Sequence, residues 1–460
     1  MQKRKTHNKS RRPPCANCVI RKTTSTCFYP KSAKDLARDT VKEISIRPKS
    51  DTCKTRGPSV VTVTYRGSSR PEDTSQSVGH RSSQSLSRSL SPSPAAFSSI
   101  SSNERLLELE LMHRWSTRTW AVLYSIPEDQ PFLQVVLPRA GLRHGYVMNG
   151  IFAITALDLA RERSPTEARM YRRAALEYSN KASVDFRSNL SHITADNICY
   201  LFYFAMISAF FNFAMPPLPT ETLTCTDRIT IAFDMILGAS RIAWTNFDWM
   251  IQGPDSTSIV MERYTVDLSL VNDIDGDTMI ALNHLSTVVR ELRQPGPDGT
   301  PGKGPIANEL WEYQLAVGQT KYCFAEERLN RLKCYYLSLI TVAGVDFATR
   351  FRAREPMALF IIMYWAVLLH RANDDPMVWW STAWMSKSTV GHDLVAETSE
   401  ALIHSPIAQI PEGRKGIAWT RDQVGLPPLE GFDLYEKPTS LEMEMVFGEE
   451  SLADAKLIEA

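Results

Sequence analysis

The chain has 460 residues, 43% of them hydrophobic and 22% charged, with a formal net charge of +1. That length allows two or three domains, or one large helical domain with a small module. The composition is that of a soluble globular protein, and eight scattered cysteines, five of them beyond Cys27, fit a reducing compartment rather than a disulfide-stapled secreted scaffold.

The near-neutral total hides an asymmetry. Residues 1–70 hold 18 Lys and Arg against 4 Asp and Glu, a net of +14, which leaves −13 for the remainder. A basic head on an acidic body is the electrostatic footprint of nucleic-acid contact at one end. A solvated basic tail is the plainer alternative. Inside the head, Cys15, Cys18 and Cys27 are spaced C-x2-C-x8-C. A C-x2-C pair lets two thiolates grip one metal ion from a tight turn, and a third cysteine a short loop later can close on it. Structural zinc takes four ligands in a tetrahedron, so this set is one short. Ordinary reduced thiols are the other reading of the same spacing.

Pro13-Pro14-Cys15-Ala16-Asn17-Cys18 and Thr26-Cys27-Phe28-Tyr29-Pro30 resemble the second half of the zinc binuclear cluster of fungal transcription factors. Lys3 to Arg12 resembles the basic arm that precedes the first cysteine in that family. No cysteine occurs before Cys15, so the first C-x2-C-x6-C, with the helix that reads base edges in the major groove, is missing. The two fragments abut at Arg12 and Pro13, as a skipped or mis-joined exon would leave them. The resemblance implies zinc held by Cys15, Cys18 and Cys27 in an incomplete module over residues 1–30. It also implies a nuclear location and DNA as a partner. Lys3, Arg4, Lys5, Lys9, Arg11, Arg12, Arg21 and Lys22 are the cations available for phosphate contacts, which carry affinity without sequence choice.

Residues 31–103 read as a linker, basic at first and then rich in Ser and Pro from Ser82 to Ser102, too poor in apolar residues to fold. Val60 to Tyr65 is its only strand-like run. No apolar heptad follows the head, and Cys53 is a remote candidate for a fourth zinc ligand.

Ordered structure is predicted from Glu104. Leu106, Leu107, Leu109, Leu111 and Met112, then Trp115, Trp120 and Leu123, suggest an amphipathic helix facing a core, ended by the turn Ser125-Ile126-Pro127-Glu128. Further helices are expected over His144 to Arg163 and from Ser164-Pro165-Thr166-Glu167 to about Phe186, where Ser caps and Pro fits the first turn. Ile198 to Met215 is the most hydrophobic run. Asp196 at its entry, Pro216-Pro217 at its exit and the absence of flanking cations favour a buried helix over a membrane span. Met357 to Leu369 is too short to span. Ile229 to Trp249, Met279 to Leu292 and Trp311 to Phe351 read as helices, and Gln294 to Pro305 as a surface loop. The fold class is all-α, with a helical body over residues 104–420 and a C-terminal tail over 421–460.

Leu109-Glu110-Leu111-Met112-His113, the run from His144 to Leu157, Glu355-Pro356-Met357-Ala358-Leu359, Tyr364 to His370 and Trp379-Trp380 resemble the regulatory domain of factors similar to sterol uptake control proteins. That resemblance spans about residues 104 to 400. It implies a pathway-specific regulator of RNA polymerase II transcription whose helical domain senses a small-molecule ligand, or a partner such as a co-regulator. An alternative is a regulator that has lost DNA reading and works on a partner through its body. An all-α Mg²⁺-dependent enzyme is the competing class. Asn272 to Asp277 and Asn373-Asp374-Asp375 are the acidic clusters it would need, but neither has the Asp-Asp-x-x-Asp or calcium-loop spacing, and both read as exposed loop carboxylates. His113, His144, His284, His370 and His392 are dispersed, and no catalytic motif appears. His370 ends an apolar helix, where a cation would favour the dipole.

Overall fold

The computed structural model describes residues 102–217, 222–252, 268–292, 307–382 and 388–445. Among them are helices, turns and no strands, as the sequence periodicity requires. The predicted zinc and DNA residues, Cys53, the Val60 to Tyr65 run and the expected Gln294 to Pro305 loop lie outside the described residues.

Helix α1 spans Ser102–Thr117, followed by a 3-10 turn over Thr119–Leu123 and a π turn over Phe132–Val136 that runs into a short α2, Leu137–Gly141. Then come α3 (Gly145–Glu162) and α4 (Pro165–Asn189). The predicted start of α4 is present: Ser164 accepts from the Glu167 backbone N–H while the Glu167 carboxylate accepts from the Ser164 N–H, satisfying donors that would otherwise be orphaned. Helix α5, Ile198–Ala214, packs along α6, Cys225–Thr245, which breaks at Asn246 before the short α7, Phe247–Gln252. Asp275 caps α8, Gly276–Glu291, by accepting from Thr278 N–H at 2.9 Å.

The stretch expected as one helix from Trp311 to Phe351 is two. Helix α9 (Ala307–Leu329) stops where Asn330 takes φ 51° and Cys334 takes φ 56°; a 3-10 turn, Tyr335–Leu337, leads into α10, Ser338–Arg352. Left-handed backbone at two non-glycine residues cannot continue a right-handed helix. The chain finishes with α11 (Pro356–Arg371), α12 (Val390–Leu402), α13 (Pro411–Gln423) and a short α14, Ser440–Met445.

Helix α11 is the axis of the body. Every side chain from Met357 to Leu369 is buried, Trp365 completely, and Trp365 donates its indole N–H to the Tyr336 carbonyl at 2.7 Å. With the 3-10 turn that follows, the helical run reaches Asp374 and has the length and apolarity to cross a membrane, longer than the sequence suggests. Its surroundings are protein: α9, α10, α12 and α13 pack on it. The close approach of α12 depends on Gly391, since a Cβ there would collide with the Ala366 carbonyl oxygen and the His370 backbone nitrogen. Ile198 to Ala214 is likewise a core helix, with Ile198, Leu201 and Phe213 completely buried.

Candidate ligand cavity

Helices α5 and α6 do not close fully against the segment between α9 and α10, and a cavity of about 470 Å³ remains between them. Phe202, Met206 and Phe210 line it at the i, i+4, i+8 spacing of one face of α5. Ile236, Ser240 and Trp244 do the same from α6, and Val122 and Leu123 enter from the first 3-10 turn. At the rim the Trp244 ring stacks on Phe247, centroids 4.8 Å apart, with Trp244 66% exposed. Apolar walls with a few placed polar groups, at this volume, match the common form of a small-molecule site.

The polar groups are mutually committed. Ser240 donates to the Thr341 hydroxyl at 3.3 Å across the cavity wall, and Ser338 accepts from the Gln319 amide at 2.7 Å. The Lys333 ammonium pairs with Asp375 at 2.6 Å, and the Lys333 backbone N–H donates to the Ser125 carbonyl at 3.0 Å. Asp129 accepts the backbone N–H groups of Ser125 and Ile126. Burial pushes the Cys334 thiol up to about 11, so it stays protonated at neutral pH; the Tyr336 hydroxyl donates to its sulfur at 3.7 Å.

The wall bearing Val122 and Leu123 is pinned by a residue that the sequence pattern did not single out. Asp158, wholly buried on α3, accepts from Arg114 Nε at 2.8 Å and from the Thr119 hydroxyl at 2.7 Å. Arg161 stands 3.7 Å from its other oxygen and lies over the Trp379 ring at 4.9 Å. A carboxylate in that position survives only because it is paired.

The acidic clusters take structural roles. Asp275 caps α8, while Asp277 is half-buried and accepts from the Tyr435 hydroxyl and from Trp419 Nε1 at 3.5 Å. Asp375 is committed to Lys333. They are therefore not all free loop carboxylates. Among the described residues no group of three or more His, Cys, Asp or Glu is placed to hold a metal ion. His370 also departs from expectation: burial lowers its pKa, and Nδ1 sits 2.8 Å from the Thr389 hydroxyl, so the neutral ring is favoured over a dipole-stabilised cation.

No family model matches the chain, and no curated protein matches it. The likeness to fungal zinc-cluster factors rests on the residues that carry it.

Proposed function

We propose that the chain is a nuclear, ligand-responsive regulator of transcription. In this reading the head holds zinc through Cys15, Cys18 and Cys27 and lies along DNA phosphates, while the helical body binds a small, largely apolar molecule. The observation that carries it is the cavity, a mostly apolar space of about 470 Å³ between α5, α6 and the start of α10. Its support from sequence is the net of +14 over residues 1–70 and the cysteine spacing. The protonated Cys334 thiol and the carboxylates tied to backbone and lysine suit a binding cavity better than one that makes bonds.

The test uses the full-length chain. Three thiolates leave a tetrahedral zinc site incomplete, so native mass spectrometry should find at most one zinc per chain. Its affinity should fall below the ~10–16 kcal/mol of a complete site. DNA retention should fall steeply with salt, with a log–log slope of magnitude up to about 7 if all eight named cations engage phosphates, and with less than about tenfold preference for any short sequence. Two tight zinc ions, or DNA binding insensitive to salt, would overturn the head as described.

One observation favours a second reading, a regulator that works on a protein partner without DNA. Leu106 and Leu109 of α1 are 65% and 67% exposed. Leu106 borders a groove that α1 forms with Met170 and Ala174 of α4. Absence of DNA retention at low salt would turn the proposal to that groove.

A further inference from the structure

One wall of the cavity is bracketed by residues in left-handed backbone. After α9 ends at Leu329, Asn330 has φ 51°, Cys334 φ 56° and Gly344 φ 84°. The stretch between supplies Lys333, Tyr335, Ser338, Thr341 and Val342 to the lining. At Gly344 the backbone takes φ 84°, ψ −175° in the middle of α10, a region open essentially to glycine alone, and the helix breaks there. Space is not the reason for glycine, because a Cβ at that position would meet no atom within 4 Å.

The two halves of α10 are held differently. Beyond the break, Arg350 pairs with Glu312 at 2.9 Å and Glu355 at 3.0 Å, Arg352 pairs with Asp234, and Phe351 packs on Phe233. Before it, the side-chain ties are neutral, Ser240 to Thr341, Gln319 to Ser338 and a 3.9 Å contact of Ser338 with Cys323 Sγ, while the turn ahead of α10 is anchored by Lys333 on Asp375 and by Trp365 Nε1 on the Tyr336 carbonyl.

We infer that residues 337–344 form a hinged flap over the cavity, swinging between the anchored turn that ends at Tyr336 and Gly344, and that an occupant of the cavity holds it in the broken-helix form. This rests on the reading of the cavity as a ligand site. The alternative form is a continuous α10 with helical backbone at residue 344, which carries Thr341 and Val342 away from α5 and α6. A ligand touching those residues from the cavity side binds the broken form better, and only that difference can shift the balance.

The experiment uses the full-length chain and Nile red, an uncharged apolar dye, as probe. Saturation with dye should slow hydrogen exchange of amides 337–344 at least tenfold and of amides 346–352 less than twofold. Gly344→Ala, which disfavours the broken form, should weaken dye binding tenfold or more. Gly238→Ala on α6, where a Cβ also meets no atom within 4 Å, should leave it unchanged. Because the new methyl at 344 reaches no atom, blocked space cannot explain the loss. Equal slowing on both sides of Gly344 overturns the flap while leaving the cavity as a site, as does a folded Gly344→Ala chain that binds dye like wild type. A wild-type chain that takes up no dye removes the cavity as a site and the flap with it. If Gly344→Ala fails to fold, the exchange pattern of the wild type decides.

Discussion

Asp158→Ala is the sharpest test of how the cavity wall is built. The carboxylate has no exposed surface and makes two charge-assisted hydrogen bonds, to Arg114 at 2.8 Å and Thr119 at 2.7 Å. Bonds of that kind contribute ~1.5–3 kcal/mol each, and removing one member of a buried pair costs ~3–5 kcal/mol. Arg114 is 16% exposed and keeps Glu162 at 3.0 Å, so its charge is not fully stranded. The expected loss is therefore at the lower end, ~3–4 kcal/mol. At about 2 °C per kcal/mol for a body of this size, Tm should drop by ~6–8 °C. Arg173→Ala is the control: its partner Glu177 lies one turn along α4, the pair is 82% and 57% exposed, and its loss should cost at most ~0.5 kcal/mol, about 1 °C. Thermal melts followed by near-ultraviolet circular dichroism on the full-length chain compare the two. Asp158→Asn, which keeps one acceptor oxygen for Arg114 and Thr119 but loses the charge and turns the other oxygen into a donor, should fall between them. If Asp158→Ala melts within 2 °C of Arg173→Ala, Asp158 does not hold the Thr119–Leu123 turn and the account of that wall is wrong.

Other consequences are equally direct. Gly391→Ala sets a methyl against backbone atoms of α11, which cannot rotate away, and should destabilise by ~2–3 kcal/mol in urea melts. Gly416→Ala meets the Tyr364 hydroxyl and Phe360 ring, side chains with more freedom to shift, and should cost less; the reverse order would contradict the packing of α12 on α11. His370 bears on pH. Its folded pKa is lowered from 6.5 by burial, so below about pH 6.5 the unfolded chain binds a proton that the folded one resists. Its contribution to stability is complete above that pH and is lost as pH falls toward the depressed folded value. Tm measured from pH 7.5 to 5.5 should decline less in His370→Gln than in wild type, and parallel curves would refute the burial argument.

The helical class and most helix positions follow from the sequence because their causes are local. Ser164, Pro165 and Glu167 cap α4 whatever lies beyond, and Ile198 to Ala214 has too little polar surface to lie on a face open to water. The break between α9 and α10 escaped the pattern because the apolar spacing runs through it and Cys334 carries no turn signal, although Asn330 is a residue type that ends helices in left-handed backbone. Asp158 reads as an ordinary helix residue until Arg114 and Thr119, some 40 positions earlier, are brought against it. His370 shows the same division: sequence places it at a helix end, and the neighbours that bury it decide its charge. The cavity lies furthest from what a sequence displays. Phe202, Met206 and Phe210 have the spacing of residues that pack on one another, and a filled core and an open one produce the same pattern. Only the tertiary distance between α5, α6 and the 330–344 segment leaves space between them.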